Sequence, residues 1–294
     1  MNEIFPKGSA WMDGKFIKLS EARIPILDWG FLRSDVTYDV AHVWKGRFFL
    51  LDKHIDRFFK STEKLRMPCK INRSELKKIL AGCVKNAGLE NAYVEMIQTR
   101  GVSPNFERDP RKATPRFIAF AAPFGWILKP EDFEKGLDAL LTDIKRIPPS
   151  SVDPTIKNYH WLDLVTGMLD AYEGGHHTAI LIDGKNNISE GPGFNIFSVD
   201  KTGLNTPEHG VLEGITRQTV INIAKESQKY ILPLLRRIDN KNVIEQAAVM
   251  KGLNQDNIND PKIGKGIAKY LTMRLNAISD ISEKGWKVKY EDKA

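Results

Sequence analysis

Cysteine is nearly missing from this sequence: Cys69 and Cys83 are the only two in 294 residues. Two isolated thiols build neither a disulfide framework nor a thiolate metal site. Also missing is any run approaching the roughly 18 consecutive apolar residues of a membrane helix. The opening stretch Met1-Asn2-Glu3-Ile4-Phe5-Pro6 has no basic segment leading into an apolar one, so no signal peptide is expected and a cytoplasmic protein is. The formal charge is +7, yet the lysines are scattered. Their densest group, Lys284-Gly285-Trp286-Lys287-Val288-Lys289, is flanked by Glu283 and Glu291. With no basic stripe interleaved with aromatics, nucleic acid is not an expected partner. His176 and His177 are adjacent, point to different sides and have no further ligand at metal spacing, so no metal is expected. No nucleophile elbow is present either.

What the chain does have is an ordinary soluble composition, 41% hydrophobic and 28% charged, and a length fitting about two domains. Tyr38 to Trp44 reads as a strand, Lys45-Gly46 as a turn, and Arg47 to Leu50 as the returning strand of a hairpin. Asp52 opens a helical pattern in Ile55, Phe58, Phe59 and Leu65. Asn72 or Ser74 caps a second helix running to about Ala87 and closed by Gly88. Ala92–Thr99 and Arg116–Ala122 read as strands, which gives an α+β domain over residues 1–123. A proline-bracketed connection follows at 124–130, and residues 131–294 form the second domain.

In that second part, Leu137–Ile144 reads as a strand and Trp161–Tyr172 as a helix ended by Gly174-Gly175. Thr178–Ile182, Ile188–Glu190 and Phe194–Val199 read as short strands. Gly214 begins a helix reaching about Glu226, and residues 231–265 show no clear pattern.

Three features carry chemistry. Lys157 precedes a helix among Ile156, Tyr159 and Trp161, apolar company that would lower an amine's pKa and make it nucleophilic. Glu190 ends a strand before Gly191-Pro192-Gly193, where small residues would let a flat ring approach. Gly214-Ile215-Thr216-Arg217 is a glycine-led helix start, which offers free N–H groups and a positive dipole end to a phosphate. Arg57 could add a bidentate fork. Each feature alone has a plainer reading, as an exposed lysine, a turn glutamate, a capped helix or a surface ion pair. Together they supply what pyridoxal phosphate needs: an imine-forming amine, an acid at the ring nitrogen, and an anion cradle.

In this combination the chain resembles the class IV (fold type IV) pyridoxal-phosphate aminotransferases, from about Trp11 to about Glu226. The resemblance rests on Asp28-Trp29-Gly30-Phe31-Leu32-Arg33-Ser34-Asp35, Tyr38-Asp39-Val40, His54-Ile55-Asp56-Arg57, Ile156-Lys157-Asn158, Glu190-Gly191-Pro192-Gly193-Phe194-Asn195 and Leu212-Glu213-Gly214-Ile215-Thr216-Arg217. It implies an α+β fold of two α/β domains with the active site at their junction, and a homodimer whose partner completes the site. It implies that Lys157 holds the cofactor and shuttles the proton, that Glu190 keeps the ring nitrogen protonated, and that Arg57, Ile215 and Thr216 hold the phosphate. It also implies that Leu212 lies against the ring, that Asn195 and Trp161 join the cofactor site, and that Tyr38, Glu95 and Trp126 line the substrate pocket.

The subfamily follows from departures. Branched-chain enzymes carry an arginine where Tyr93-Val94-Glu95 has Glu95, and D-amino acid enzymes carry Arg-x-His where Ser103-Pro104 is followed by Asn105-Phe106-Glu107. Arginine is the usual reader of a substrate carboxylate, so ordinary amino acid specificity is not expected. Tyr93-Val94-Glu95 together with Asp28-Trp29-Gly30-Phe31-Leu32-Arg33-Ser34-Asp35 looks closest to the (R)-selective amine transaminases, with Arg33, Arg100, Arg108 and Arg111 as candidate readers of a keto acid's carboxylate. A late hydroxyl motif of the family is replaced by Met250-Lys251-Gly252-Leu253. The expected activity is transfer of an amino group from a primary amine or amino acid to a keto acid. The alternatives are a lyase resembling aminodeoxychorismate lyase, a branched-chain or D-amino acid aminotransferase, and a cofactor-binding protein without turnover.

Overall fold

The computed structural model describes residues 4–133, 135–200, 203–226 and 290–293. The chain divides into one compact unit of residues 1–218 with 291–294, and a second of residues 219–290. All that follows concerns the first, apart from helix α5, which runs into the second.

The main sheet is built from β1 (Ser9–Met12), β2 (Lys15–Lys18), β3 (Val36–Trp44), β4 (Arg47–Phe49), β5 (Ala92–Val102), β6 (Thr114–Pro123) and β11 (Tyr290–Lys293). These seven strands lie in the order β11-β4-β3-β5-β6-β1-β2. The hairpin joining β3 to β4 forms where expected. Lys45 and Gly46 both take positive φ, 50° and 70°, as a two-residue hairpin turn requires. Strand alternation sends Ala41, Val43, Val94, Met96, Phe117 and Ala119 into a core against α2 (Leu51–Lys64) and α3 (Arg73–Ala87). Ile55 and Phe58 of α2 are fully buried there. Helix α3 starts at Asn72, whose side chain accepts from the Glu75 N–H at 3.0 Å, and ends at Gly88 in the left-handed conformation.

The register that pairs Tyr38 with Ile97, Val40 with Glu95 and His42 with Tyr93 puts those six on the opposite face. That face carries Tyr38 and Glu95, while Asp39, between Tyr38 and Val40 in β3, turns to α2 and Arg57.

A second layer follows: β7 (Ala139–Lys145) pairs in parallel with β8 (Thr178–Ile182), and α4 (Leu162–Glu173) crosses between them. Leu164, Ala171, Ala179 and Leu181 make its own small core. Gly167 lets α4 close on β8, since a Cβ there would lie 2.9 Å from the Leu181 side chain.

Two expected strands are corrected. Ile188–Glu190 is no strand: Ile188 makes one bridge to Ile182, and the chain then turns at Gly191, bridged to Phe194. Phe194–Val199 shrinks to β9 (Ser198–Asp200), paired with β10 (Gly203–Asn205). Both corrections share a cause, because the 191–194 turn uses backbone groups that a strand ladder would need. The short helix α1 (Trp29–Arg33) is an addition, capped by Asp28 accepting from Gly30 N at 2.8 Å. The last described helix is α5 (Ile215–Glu226). The motif 250–253, residues 231–265 and the basic tail 284–289 lie outside the described residues.

Candidate active site

Lys157 is fixed by its backbone before its side chain matters. Its carbonyl accepts from Thr37 Oγ1 at 2.7 Å and from the Tyr38 N–H at 3.1 Å, pinning the lysine loop to the N-terminal half of β3. Nζ then sits over the Tyr38 ring, 4.3 Å from its centroid. Tyr159 also packs on that ring, with centroids 4.6 Å apart, and Trp161 packs against the same cluster. Enclosure by protein, helped by the Arg57 cation, lowers the Lys157 pKa to about 8, while Asp39, Glu95 and Glu190 pull the other way. A lysine so placed has a sizeable neutral, nucleophilic fraction near neutrality.

Arg57 projects from α2 toward β3. Its Nε donates to Asp39 Oδ2 at 2.7 Å, its Nη2 to Asp39 Oδ1 at 3.0 Å, and its Nη1 to the Glu213 carbonyl at 3.0 Å. His54, one turn earlier on α2, meets Asp39 Oδ1 through Nδ1 at 2.8 Å. Burial alone would raise the Asp39 carboxyl, but the hydrogen bonds from His54 and Arg57 hold it below the ordinary value. The contact with Glu213 joins this cluster to the loop before α5. There Asn195 Nδ2 donates to the Leu212 carbonyl at 2.9 Å. Gly214 is packed so closely that a Cβ would stand 2.1 Å from Asn195 Oδ1. Arg217 ties the helix start down through Thr206 Oγ1 and the Pro207 carbonyl.

Glu190 lies at the other end, only 7% exposed. Its Oε2 accepts from the Leu212 N–H at 3.1 Å. Its Oε1 accepts from Arg146 Nε at 3.2 Å and Nη2 at 3.0 Å. Gly191 permits the turn, since a Cβ there would strike the Phe194 ring at 2.1 Å. Asn195, Leu212 and Glu190 are thus knitted into one unit with the start of α5.

Glu95 is also buried, and both its oxygens are occupied: Oε2 accepts from Tyr93 at 2.8 Å and Oε1 from Tyr159. Burial raises its pKa, partly offset by those two hydroxyls and by Lys157. Trp126 makes its ring contacts with Trp44, Phe124 and Phe133 and is 42% exposed. The candidate arginines differ in freedom. Arg100 is committed to Asp35 and to the Leu65 and Arg66 carbonyls. Arg33 lies over Trp29, and Arg111 pairs with Asp109 at the surface.

Arg146 and Asp163 join the candidate site without any mention in the sequence reading, and Asp39, His54, Tyr93 and Tyr159, quoted there only within motifs or as neighbours of Lys157, gain specific contacts. One signal exists: His54 stands three residues before Arg57, so both face the same way on a helix. Arg146 has none, because its partners are 44 and 17 positions away.

The groups present fit pyridoxal phosphate. Two of the five N–H groups of Arg57 have no protein partner among the described residues, and they lie beside a helix start built on a glycine that tolerates no Cβ. A buried carboxylate and a low-pKa amine complete the set.

This fold and donor set define a pyridoxal-phosphate-dependent aminotransferase, and the comparisons agree. Residues 37–233 match the family model for Amino-transferase class IV, and the chain belongs to that family. A putative branched-chain-amino-acid aminotransferase of Methanocaldococcus jannaschii is 31% identical over 219 residues, covering 74% of both chains. Among solved structures, the branched-chain aminotransferase of Thermoproteus uzoniensis with norvaline superposes with a TM-score of 0.68 at 27% identity, covering 74% of each chain. The T.th. branched-chain amino acid aminotransferase with pyridoxamine 5'-phosphate gives 0.69 at 25% identity, covering 75% of this chain and 74% of the other. No described helix is long and apolar enough to cross a membrane.

Proposed function

We propose that this aminotransferase takes its amino group from primary amines whose reacting carbon bears no carboxylate, in the (R) series, and passes it to a 2-keto acid. The observation that carries this reading is Glu95, a buried carboxylate held by Tyr93 and Tyr159 in the electrostatic surroundings of Lys157. A carboxylate placed beside it would meet a like charge in a low-dielectric pocket, so the acceptor's carboxylate must be read by an arginine away from Glu95, with Arg33, which lies over Trp29, as a candidate. An uncharged aryl or alkyl group would meet the rings of Tyr38 and Tyr159.

Pyridoxal phosphate, when bound, supplies the electron sink that stabilises a carbanion next to the transferred nitrogen. The protein's part is division of labour. Lys157 Nζ holds the cofactor between turnovers and carries the proton to and from the substrate carbon. Arg57, with the Ile215 and Thr216 end of α5, holds the phosphate. Glu190 would take the ring nitrogen and Leu212 would pack on the ring, with Asn195 bracing the Leu212 turn and Trp161 closing the cofactor site. Tyr38, Glu95 and Trp126 shape the donor pocket. The division at 124–130, a homodimer and a cytoplasmic location belong to the same proposal.

A second reading is a branched-chain amino acid aminotransferase, favoured by what the relatives are named. The deciding experiment compares half-reactions with (R)-1-phenylethylamine, L-leucine and D-alanine, followed by the bound cofactor's absorbance. Fast bleaching by the amine supports the first reading. Bleaching by L-leucine alone establishes the second.

A further inference from the structure

The Glu190 carboxylate does not stand alone. Arg146, at the end of β7, spans two carboxylates: Nε and Nη2 reach Glu190 Oε1, and Nη1 reaches Asp163 of α4. All three side chains are nearly buried, 14% exposed for Arg146, 9% for Glu190 and 8% for Asp163. Asp163 is itself held in place, since its Oδ2 also accepts from the Ile147 N–H at 2.9 Å and its Oδ1 from Leu164 N at 2.8 Å. The Arg146 N–H is tied to the Ile182 carbonyl at 2.8 Å. The guanidinium is therefore anchored from both ends of the β7–α4–β8 layer.

Hydrogen-bond capacity turns this into a prediction. A carboxylate has about four lone-pair positions, two on each oxygen. Two Arg146 N–H groups fill Oε1, and the Leu212 N–H takes one position on Oε2. One position is left, on Oε2, next to the loop that leads to the phosphate cradle. Formal charge points the same way: two carboxylates and one guanidinium leave a surplus of one negative charge in a buried place. Such a surplus calls for a cation, and a protonated ring nitrogen is one.

We propose that Arg146 is a positioning residue of the transamination site. It clamps Oε1 so that Oε2 alone receives the ring N–H, and its charge, shared with Asp163, keeps Glu190 ionised so that the proton stays on the ring nitrogen. This rests on the pyridoxal phosphate reading of the site.

The test uses the holoenzyme reconstituted with cofactor carrying 15N at the ring nitrogen, in native protein, Arg146→Met and Arg146→Lys, each checked for folding by circular dichroism. Native protein should show a protonated ring signal. In Arg146→Met the Glu190 carboxylate loses the cation that keeps it ionised, so the shared proton should pass from the ring nitrogen to Glu190. The signal should then move toward that of neutral pyridine, and kcat should fall about 10–100-fold, as expected from losing a charge partner that shifts proton affinity by one to two units. The donor KM should stay within about threefold, because the lost interaction does not bind donor. Arg146→Lys should fall between the two, because a single ammonium cannot span both carboxylates as a fork does. A native ring signal in Arg146→Met, whatever its rate, would overturn the proposal. If that variant does not fold, Arg146→Lys decides, and a native signal with native kcat there overturns it too. A native protein that binds cofactor with an unprotonated ring, or binds none, would instead defeat the underlying reading of the site.

Discussion

Two buried arginine–carboxylate clusters bound this site, and they are built in opposite senses. At α2, one carboxylate serves two nitrogen bases: Asp39 takes both Arg57 and His54, and its oxygens also receive the Val40 N–H. The carboxylate carries four hydrogen bonds, three on Oδ1 and one on Oδ2, and two Arg57 N–H groups are left over as donors among the described residues. At β7, one guanidinium serves two carboxylates, and the spare capacity is acceptor capacity on Glu190. A surplus of donors suits an anion and a surplus of acceptors suits a cation. Pyridoxal phosphate carries an anion at one end and a protonated ring nitrogen at the other. Lys157, whose pKa reflects Arg57 from one cluster and Glu190 from the other, lies electrostatically within reach of both.

That contrast can be broken in stages. The largest effect is expected from Lys157→Ala, with turnover falling about 10⁴-fold or more, the upper range for loss of a proton-transfer group. Cofactor would still bind at the two clusters, which equilibrium dialysis would detect. Next, Glu190→Gln removes the acceptor surplus. Its kcat should drop about 10²–10³-fold, comparable to losing one preorganised electrostatic group, with phosphate affinity unchanged.

Arg57→Ala removes the donor surplus and leaves Asp39 buried with less compensation. Losing the arginine's hydrogen-bonded charge contact to the phosphate costs about 2–5 kcal/mol of binding, so cofactor affinity should weaken by at least about 30-fold while single-turnover rates at saturating cofactor change little. If Arg57→Ala and Glu190→Gln gave the same kinetic signature, the two clusters would not have distinct roles. Phe58→Ala, in the apolar core between α2 and the sheet and without a polar contact to either cluster, is the control. It should cost about 3–5 kcal/mol of stability by denaturant titration and leave the 15N ring signal as it was.

The smallest effect concerns pH. The folded Lys157 pKa is about 8, below the ordinary 10.5, so the unfolded chain binds more protons between those values. Stability of the cofactor-free protein should then rise with pH across that window. A Lys157→Met variant should lose that slope in thermal melts.

The comparison also explains what the sequence disclosed. Lys157, Arg57, Glu190 and the 212–217 turn were legible because each sits in a short motif with its own local geometry: a loop before a helix, a helix face, a glycine turn, a helix start. The β3–β4 hairpin and the capped helix α3 were legible for the same reason, since Lys45-Gly46 and Asn72 with Gly88 act on their immediate neighbours. The partners that give each cluster its sign were not. Asp39 meets Arg57 because strand alternation turns it toward α2, and Arg146 meets Glu190 only because β7 and β8 lie side by side. Such pairs form across tertiary distance, where neither periodicity nor spacing leaves a trace. The misjudged strands at 188–190 and 194–199 have a related origin. Their residues favour strands, but Glu190 must face inward, and the Gly191–Phe194 bridge that turns it there ends the ladder.

The most direct check on the central claim, that one amine between these opposed clusters carries the cofactor, is reductive trapping. Protein incubated with pyridoxal phosphate would be reduced with borohydride, digested and mapped by mass spectrometry. A phosphopyridoxyl group on the peptide containing Lys157, absent from Lys157→Ala, is the expected result. A stoichiometric label on a different lysine, or none at all, would contradict it.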